Sequence, residues 1–256
     1  SDALFAKALV YLEQMEETVP EEPKYGLWSA FSLELLARSS LASISPVLLA
    51  DQGNWQNLAY ALGRQITKKG FSPSSIGTRE VLARLTAMVP EFTEEMGGFC
   101  THHIDRRNAE LHTGEFAFDS IGTSAWLPKY YWVCEVLLES MGKTLSDFIG
   151  DPSHAKHLIA SLADQTAKAV RKEINGYRTV WEAKSKKEQK ELRLNAEVWA
   201  TRQTGHRTIC PACESPALLQ GSPMGAVATK VDEDRVVQRQ ALSPTAFECV
   251  ACGLKI

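Results

Sequence analysis

Arg107-Asn108-Ala109-Glu110-Leu111-His112 brings together three residue types that suit a site handling phosphate. Arginine is a permanent cation whose planar N–H fork matches phosphate oxygens. Histidine titrates near neutrality and can take or give a proton, and asparagine can orient either partner by hydrogen bonding. The same residues also admit structural roles. Arg107 could pair with Glu34 or Glu110, and His112 could interact with a helix C-terminal dipole. His102 and His103 stand one turn earlier, beside Arg106.

A second constellation lies near the C-terminus. Cys210-Pro-Ala-Cys213 and Cys249-Val-Ala-Cys252-Gly253 are two C-x-x-C pairs. Each pair can turn two thiolates toward one ion, and together they supply a closed tetrahedral set suited to structural Zn²⁺. A redox dithiol would open a helix in a βαβ context, which is not visible here. The 35 residues between the pairs exceed the usual spacing of about 15–20. A long β-hairpin with an acidic tip near Asp232-Glu233-Asp234 is therefore expected. Cys100 and Cys134 stand alone among apolar residues and read as small buried hydrophobes.

The elements that must carry these groups are mostly helical. Apolar residues recur at helical spacing in Phe5/Leu9/Leu12, in Trp28/Phe31/Leu35 and in Trp55/Leu58/Leu62/Ile66. A helix is expected over 78–88, with Thr78 as its cap, and the motif helix over about 92–113, ending at a left-handed Gly114. Another follows over 124–148. A long basic helical segment spans about 153–202, with Val170, Ile174, Tyr177 and Trp181 as its buried stripe and a kink at Asn175-Gly176. Residues 168–207 hold eleven Lys or Arg against five Glu, a local excess able to hold phosphates. After Thr204 the character changes to β-branched residues, glycine and proline. The expected architecture is all-α over 1–204, followed by a small β zinc ribbon over 205–256. Within the motif helix, Asn108 and His112 share a face, whereas Arg107 lies about 140° from His112, in phase with Cys100, Ile104 and Leu111. A cation on that stripe needs a partner, and Glu34 on the second helix or a bound anion would serve.

The set Arg107-Asn108-x-x-x-His112, on a helix of an all-α domain, resembles the R-x4-6-H motif of the HEPN superfamily (higher eukaryotes and prokaryotes nucleotide-binding). The stretch Phe31-Ser-Leu-Glu-Leu-Leu-Ala-Arg38 resembles the apolar helix that precedes the motif helix in that family. The resemblance covers about residues 25–150 and implies a multi-helix bundle with metal-independent endoribonuclease activity. It also implies a homodimer in which two motif helices meet and form one composite site. Catalytic roles then fall to Arg107, Asn108 and His112, with Arg106, His103 and Glu34 as candidate substrate contacts. The implied partners are RNA (tRNA, rRNA or mRNA) and a regulatory protein or antitoxin, and the implied setting is a toxin or antiviral abortive-infection effector.

Two other classes compete. A HEPN-fold module without chemistry would bind a nucleotide or RNA, or act as a scaffold. A zinc-ribbon adaptor would bind a protein or nucleic acid through its C-terminal domain. The net charge of −3 excludes a generally basic surface, and 44% apolar with 23% charged residues is ordinary for a globular chain. No stretch has the length of a membrane span and the N-terminus is acidic, so a cytoplasmic protein without a membrane partner is expected.

Overall fold

The computed structural model describes residues 1–232 and 235–256, and for residues 223–226, 228, 230–232 and 235–239 the backbone only. Eight α-helices among the described residues precede three strands: α1 (Asp2–Glu16), α2 (Pro23–Ile44), α3 (Trp55–Ala61), α4 (Thr78–Met88), α5 (Glu94–His112), α6 (Leu127–Ser140), α7 (Ser153–Glu182), α8 (Lys186–Arg202), β1 (His206–Ile209), β2 (Pro216–Asp232) and β3 (Arg235–Glu248). None of these helices is long and apolar enough to cross a membrane.

The chain forms two compact units, Ser1–Leu162 and Ala163–Ile256, with the division inside α7. The physical reason is the size of the ribbon, which cannot bury a core alone. Trp181 and Ala196 of the helices are buried in one cluster with Cys210, Cys213 and Cys249, and Ile174, Tyr177 and Leu192 pack against it. Ile174, Tyr177 and Trp181 of the stripe read from the sequence thus face the ribbon, and Val170 is not part of that cluster.

In the first unit α2 is the central helix, packed on α1, α4, α5 and α6. Its contact positions alternate Leu33, Leu36 and Leu41 with small residues such as Ser29, Ala30, Ser32 and Ser40, all buried. Small side chains let neighbouring helices approach, and their hydroxyls find partners. Ser32 donates to the Ala8 carbonyl of α1 at 2.9 Å, and Ser40 meets Ser140 of α6 at 2.7 Å. The helix starts at Pro23, whose missing N–H costs nothing there.

Several boundaries differ from expectation. The cap of α4 is Gly77, because the Thr78 hydroxyl is engaged elsewhere. α5 ends on an extended Thr113 (φ −126°, ψ 177°), and Gly114 is not left-handed. The helix expected over 124–148 stops at Ser140, and Gly142 turns the chain at φ 70°. α7 runs unbroken through Asn175-Gly176, and the interruption comes instead at Ser185, whose side chain caps α8 by accepting from the Glu188 N–H. The third apolar set forms only the seven-residue α3, with Trp55 69% and Leu62 66% exposed, so that stripe does not face a core.

The second unit's sheet has the order β1-β2-β3, antiparallel throughout. β1 pairs only with residues 216–219 of β2, so beyond them β2 and β3 form a two-stranded ribbon. Such a ribbon leaves each strand one free edge, where Pro223 and Pro244 are tolerated without losing ladder bonds. The expected long hairpin is therefore present. Residues 233–234 of the expected acidic tip lie outside the described residues.

Candidate functional sites

α5 begins at Thr93, whose hydroxyl accepts from the Met96 N–H, with Glu94 and Glu95 in its first turn complementing the dipole. Cys100 and Ile104 enter the core, and Arg107 continues their stripe toward α2. There its Nη2 donates to Glu34 Oε2 at 2.5 Å, and its guanidinium lies 5.1 Å from the Phe31 ring centre. The other carboxylate oxygen, Glu34 Oε1, accepts from Arg38 Nη2 at 3.0 Å, Arg38 Nε at 3.1 Å and the Thr78 hydroxyl at 2.6 Å. Arg38 also donates to the Ile76 carbonyl at 3.1 Å.

Glu34, Arg38 and Arg107 are only 14–15% exposed at their side chains. Burial alone would raise the Glu34 pKa, but the Thr78 hydroxyl and the charges of Arg107 and Arg38 outweigh it and hold the carboxyl below its ordinary value. Two guanidiniums share one carboxylate, so the cluster carries one uncompensated positive charge. Arg107 has one hydrogen bond among the described residues, and its Nε is buried without a partner.

Of the expected catalytic groups, Asn108 and His112 are exposed while Arg107 turns inward to α2. Asn108 borders a cleft of about 480 Å³ between α4 and α5, together with Thr78, Arg79, Leu82, Ile104 and Asp105. His112 is the last residue of α5 and is flanked by Leu111 (47% exposed) and Phe116 (72% exposed). Glu110 accepts from the Ala117 N–H at 2.7 Å, so Glu34 and not Glu110 is the partner of Arg107. Arg106 is half-buried and His102 exposed.

His103 is corrected as a substrate contact, because it is fully buried. Phe99, Phe118, Trp126 and Tyr130 surround its ring, with Trp126 nearest at 4.8 Å between ring centres. The Ser29 hydroxyl lies 2.7 Å from the Gly26 carbonyl and 2.8 Å from His103 Nε2, so it ties the ring to α2. Nδ1 is buried without a hydrogen-bond partner among the described residues. Burial, and secondarily Arg106, push the His103 pKa down to about 3, so the ring stays neutral. Glu34, the other buried member of the expected substrate contacts, is filled by protein donors.

Arg38, Thr78 and Phe31 are named in the sequence only for the helices they belong to, not as members of this cluster. Arg38 follows Glu34 by one helical turn, a spacing that pairs opposite charges on a helix and could have revealed it. Thr78 and Phe31 carry no such mark.

The four cysteines form the second site, with their sulfurs all within 4.8 Å of one another. Cys210 and Cys252 are 3.6 Å apart, and Cys213 and Cys249 3.5 Å. A tetrahedral ion with Zn–S near 2.3 Å sets sulfurs about 3.8 Å apart, so the set fits. The Ala212 N–H donates to Cys210 Sγ at 3.4 Å, as an amide supporting a thiolate does. Each knuckle closes on a left-handed residue after its last cysteine, Glu214 at φ 57° and Gly253 at φ 84°. Arg193 donates to the Cys213 carbonyl at 3.0 Å and Arg178 to the Pro211 carbonyl at 2.7 Å, which ties the first knuckle to α8 and α7. The four cysteines can hold a metal ion, and all four coordination positions would be taken by sulfur.

Compared with protein-family models, with curated proteins and with solved structures, the chain matches none.

Proposed function

We propose that the helical unit is a HEPN-like, metal-independent endoribonuclease acting as a dimer, a toxin or antiviral effector, with structural Zn²⁺ in the ribbon. The observation that carries this reading is the state of Arg107. The guanidinium is fixed by Glu34 and the Phe31 ring, belongs to a cluster of net positive charge, and still has unused donors. Asn108 and His112 stand exposed on the same helix. A fixed cation with spare N–H groups suits the phosphoryl oxygens as charge builds on them.

RNA brings its own nucleophile. In the proposed reaction His112 of one copy takes the 2′-hydroxyl proton, and the 2′ oxygen bonds to phosphorus. His112 of the other copy, protonated, gives its proton to the departing 5′ oxygen as the P–O5′ bond breaks. The products are a 2′,3′-cyclic phosphate and a 5′-hydroxyl end. The exposed Leu111 and Phe116 beside His112 suit burial against a second copy. The metal would lie in the ribbon, held by Cys210, Cys213, Cys249 and Cys252, and would supply structure alone.

A second reading follows from the 2.5 Å Arg107–Glu34 contact. If Glu34 does not release or share Arg107, the helix is a non-catalytic phosphate-binding or scaffolding module. One assay separates the two. RNA is incubated with EDTA and the wild type, Arg107→Ala or His112→Ala, and product ends are identified. Cyclic phosphate ends from the wild type, absent with both variants, are the expected result. RNA binding without turnover selects the second reading, and cleavage that survives both substitutions removes α5 from the chemistry.

A further inference from the structure

The chain between α2 and α4 leaves the bundle as an arm, and its base is firmly built. Asp51 N–H donates to the Ser74 carbonyl at 3.1 Å and Ile76 N–H to the Leu49 carbonyl at 2.9 Å. Asn57, 3% exposed, bridges the two limbs through the Asp51 carbonyl at 3.1 Å and the Ser74 N–H at 3.0 Å. The returning limb ends on the Arg107 cluster, since Arg38 holds the Ile76 carbonyl and Thr78 donates to Glu34.

On this scaffold the side chains that the core does not take are large and apolar. Trp55 is 69% exposed, Tyr60 53% and Leu62 66%. Of the protein's six tryptophans, Trp55 is the exposed one. The Tyr60 ring stands 5.9 Å from the Phe71 ring centre, and it borders a recess of about 290 Å³ with Leu49 and Pro73. Charge on the arm has one sign. Residues 52–78 contain Arg64, Lys68 and Lys69 and no Asp or Glu, in a chain whose net charge is −3. All three cations are exposed.

Protein–protein interfaces are enriched in aromatics but depleted in lysine. Aromatic rings interleaved with lysine and arginine, with acids excluded, are the pattern that binds single strands, with bases stacking on rings and phosphates meeting cations. We infer that the arm over residues 52–78 is a single-stranded RNA platform that leads substrate to the α5 site. The inference rests on the ribonuclease reading for the choice of RNA. Because the arm is anchored to the carboxylate that holds Arg107, a strand lying along it stays on the unit that carries the motif helix.

The test uses the full chain with His112→Ala, so that RNA is bound and not cut. Binding of a fluorescein-labelled 12-nucleotide oligouridylate is followed by anisotropy over a salt series, with a duplex of equal length for comparison. Trp55→Ala and Tyr60→Ala, both at exposed positions, should each weaken single-strand binding on the order of tenfold. Replacing Arg64, Lys68 and Lys69 together by alanine should reduce the slope of log affinity against log salt by about 2. Arm variants that bind like their parent, or a duplex bound as tightly as the single strand, would overturn the inference. So would a change in self-association on Trp55→Ala with RNA binding intact, which would make the arm a protein contact. Cleavage of a dinucleotide too short to reach the arm tests the ribonuclease reading separately. Cleavage without arm dependence overturns only the platform, whereas arm-dependent binding without any cleavage by the wild type overturns only the nuclease.

Discussion

Glu34 holds two part-buried arginines of the first unit, Arg38 and Arg107, and removing it should be far more damaging than removing either one. Glu34→Gln leaves Arg38 and Arg107, each about 15% exposed at the side chain, facing each other without a counter-ion. Removing one member of a buried ion pair costs about 3–5 kcal/mol when the charge left behind is fully desolvated. Here the partial exposure and the amide's remaining hydrogen bonds lower this to roughly 2–4 kcal/mol. Arg107→Met differs in what it leaves, because Glu34 keeps Arg38 and the Thr78 hydroxyl. Its cost should be about 1–2 kcal/mol, the scale of one charged hydrogen bond.

For a unit of this size each kcal/mol moves the melting midpoint by about 2–4 °C, so the two variants should separate clearly by circular dichroism. The acid dependence provides a second readout. Glu34 is held below its ordinary pKa when folded, so its stabilisation is full above the unfolded value of about 4.3 and is lost as pH falls through the folded value. Glu34→Gln should therefore flatten the stability profile below about pH 5. A Glu34→Gln variant no less stable than Arg107→Met would refute the view that this carboxylate organises the cluster.

Three further outcomes follow. Gly26→Ala would place a methyl 2.2 Å from the Phe118 ring, which is 5% exposed, and should cost about 1–3 kcal/mol in urea unfolding. His103 has a folded pKa near 3 against about 6.5 unfolded, so stability should fall as pH drops below 6.5, on the order of 1 kcal/mol per pH unit; His103→Leu should remove that slope. Loading with zinc should give one ion per chain by elemental analysis. Cys210→Ser or Cys249→Ser should abolish binding and lower the midpoint of the second unit, whose core contains both residues.

Much of this protein was legible from local pattern. The helical periodicity, the α4 limits, the β-hairpin and the four cysteines all follow from short-range rules. Spacing of apolar residues sets which face is buried, and two C-x-x-C pairs in a segment lacking its own core call for a metal staple. The Arg107–Glu34 pair was also within reach, because a cation in phase with Cys100 and Ile104 must find an anion. Residues 73 apart in sequence could be named as candidates, but only the crossing of α2 and α5 made them neighbours.

Tertiary structure alone decided three matters. It put His103 inside the aromatic cage and left its neighbour His102 outside, because one step along a helix turns a side chain by 100°. It gathered the end of α7, α8 and the ribbon into one compact unit, since the ribbon takes its apolar cover from α7 and α8. It left Trp55 and Leu62 on the outside although they repeat like a core stripe. Periodicity states that a face is apolar, and only packing states whether anything covers it.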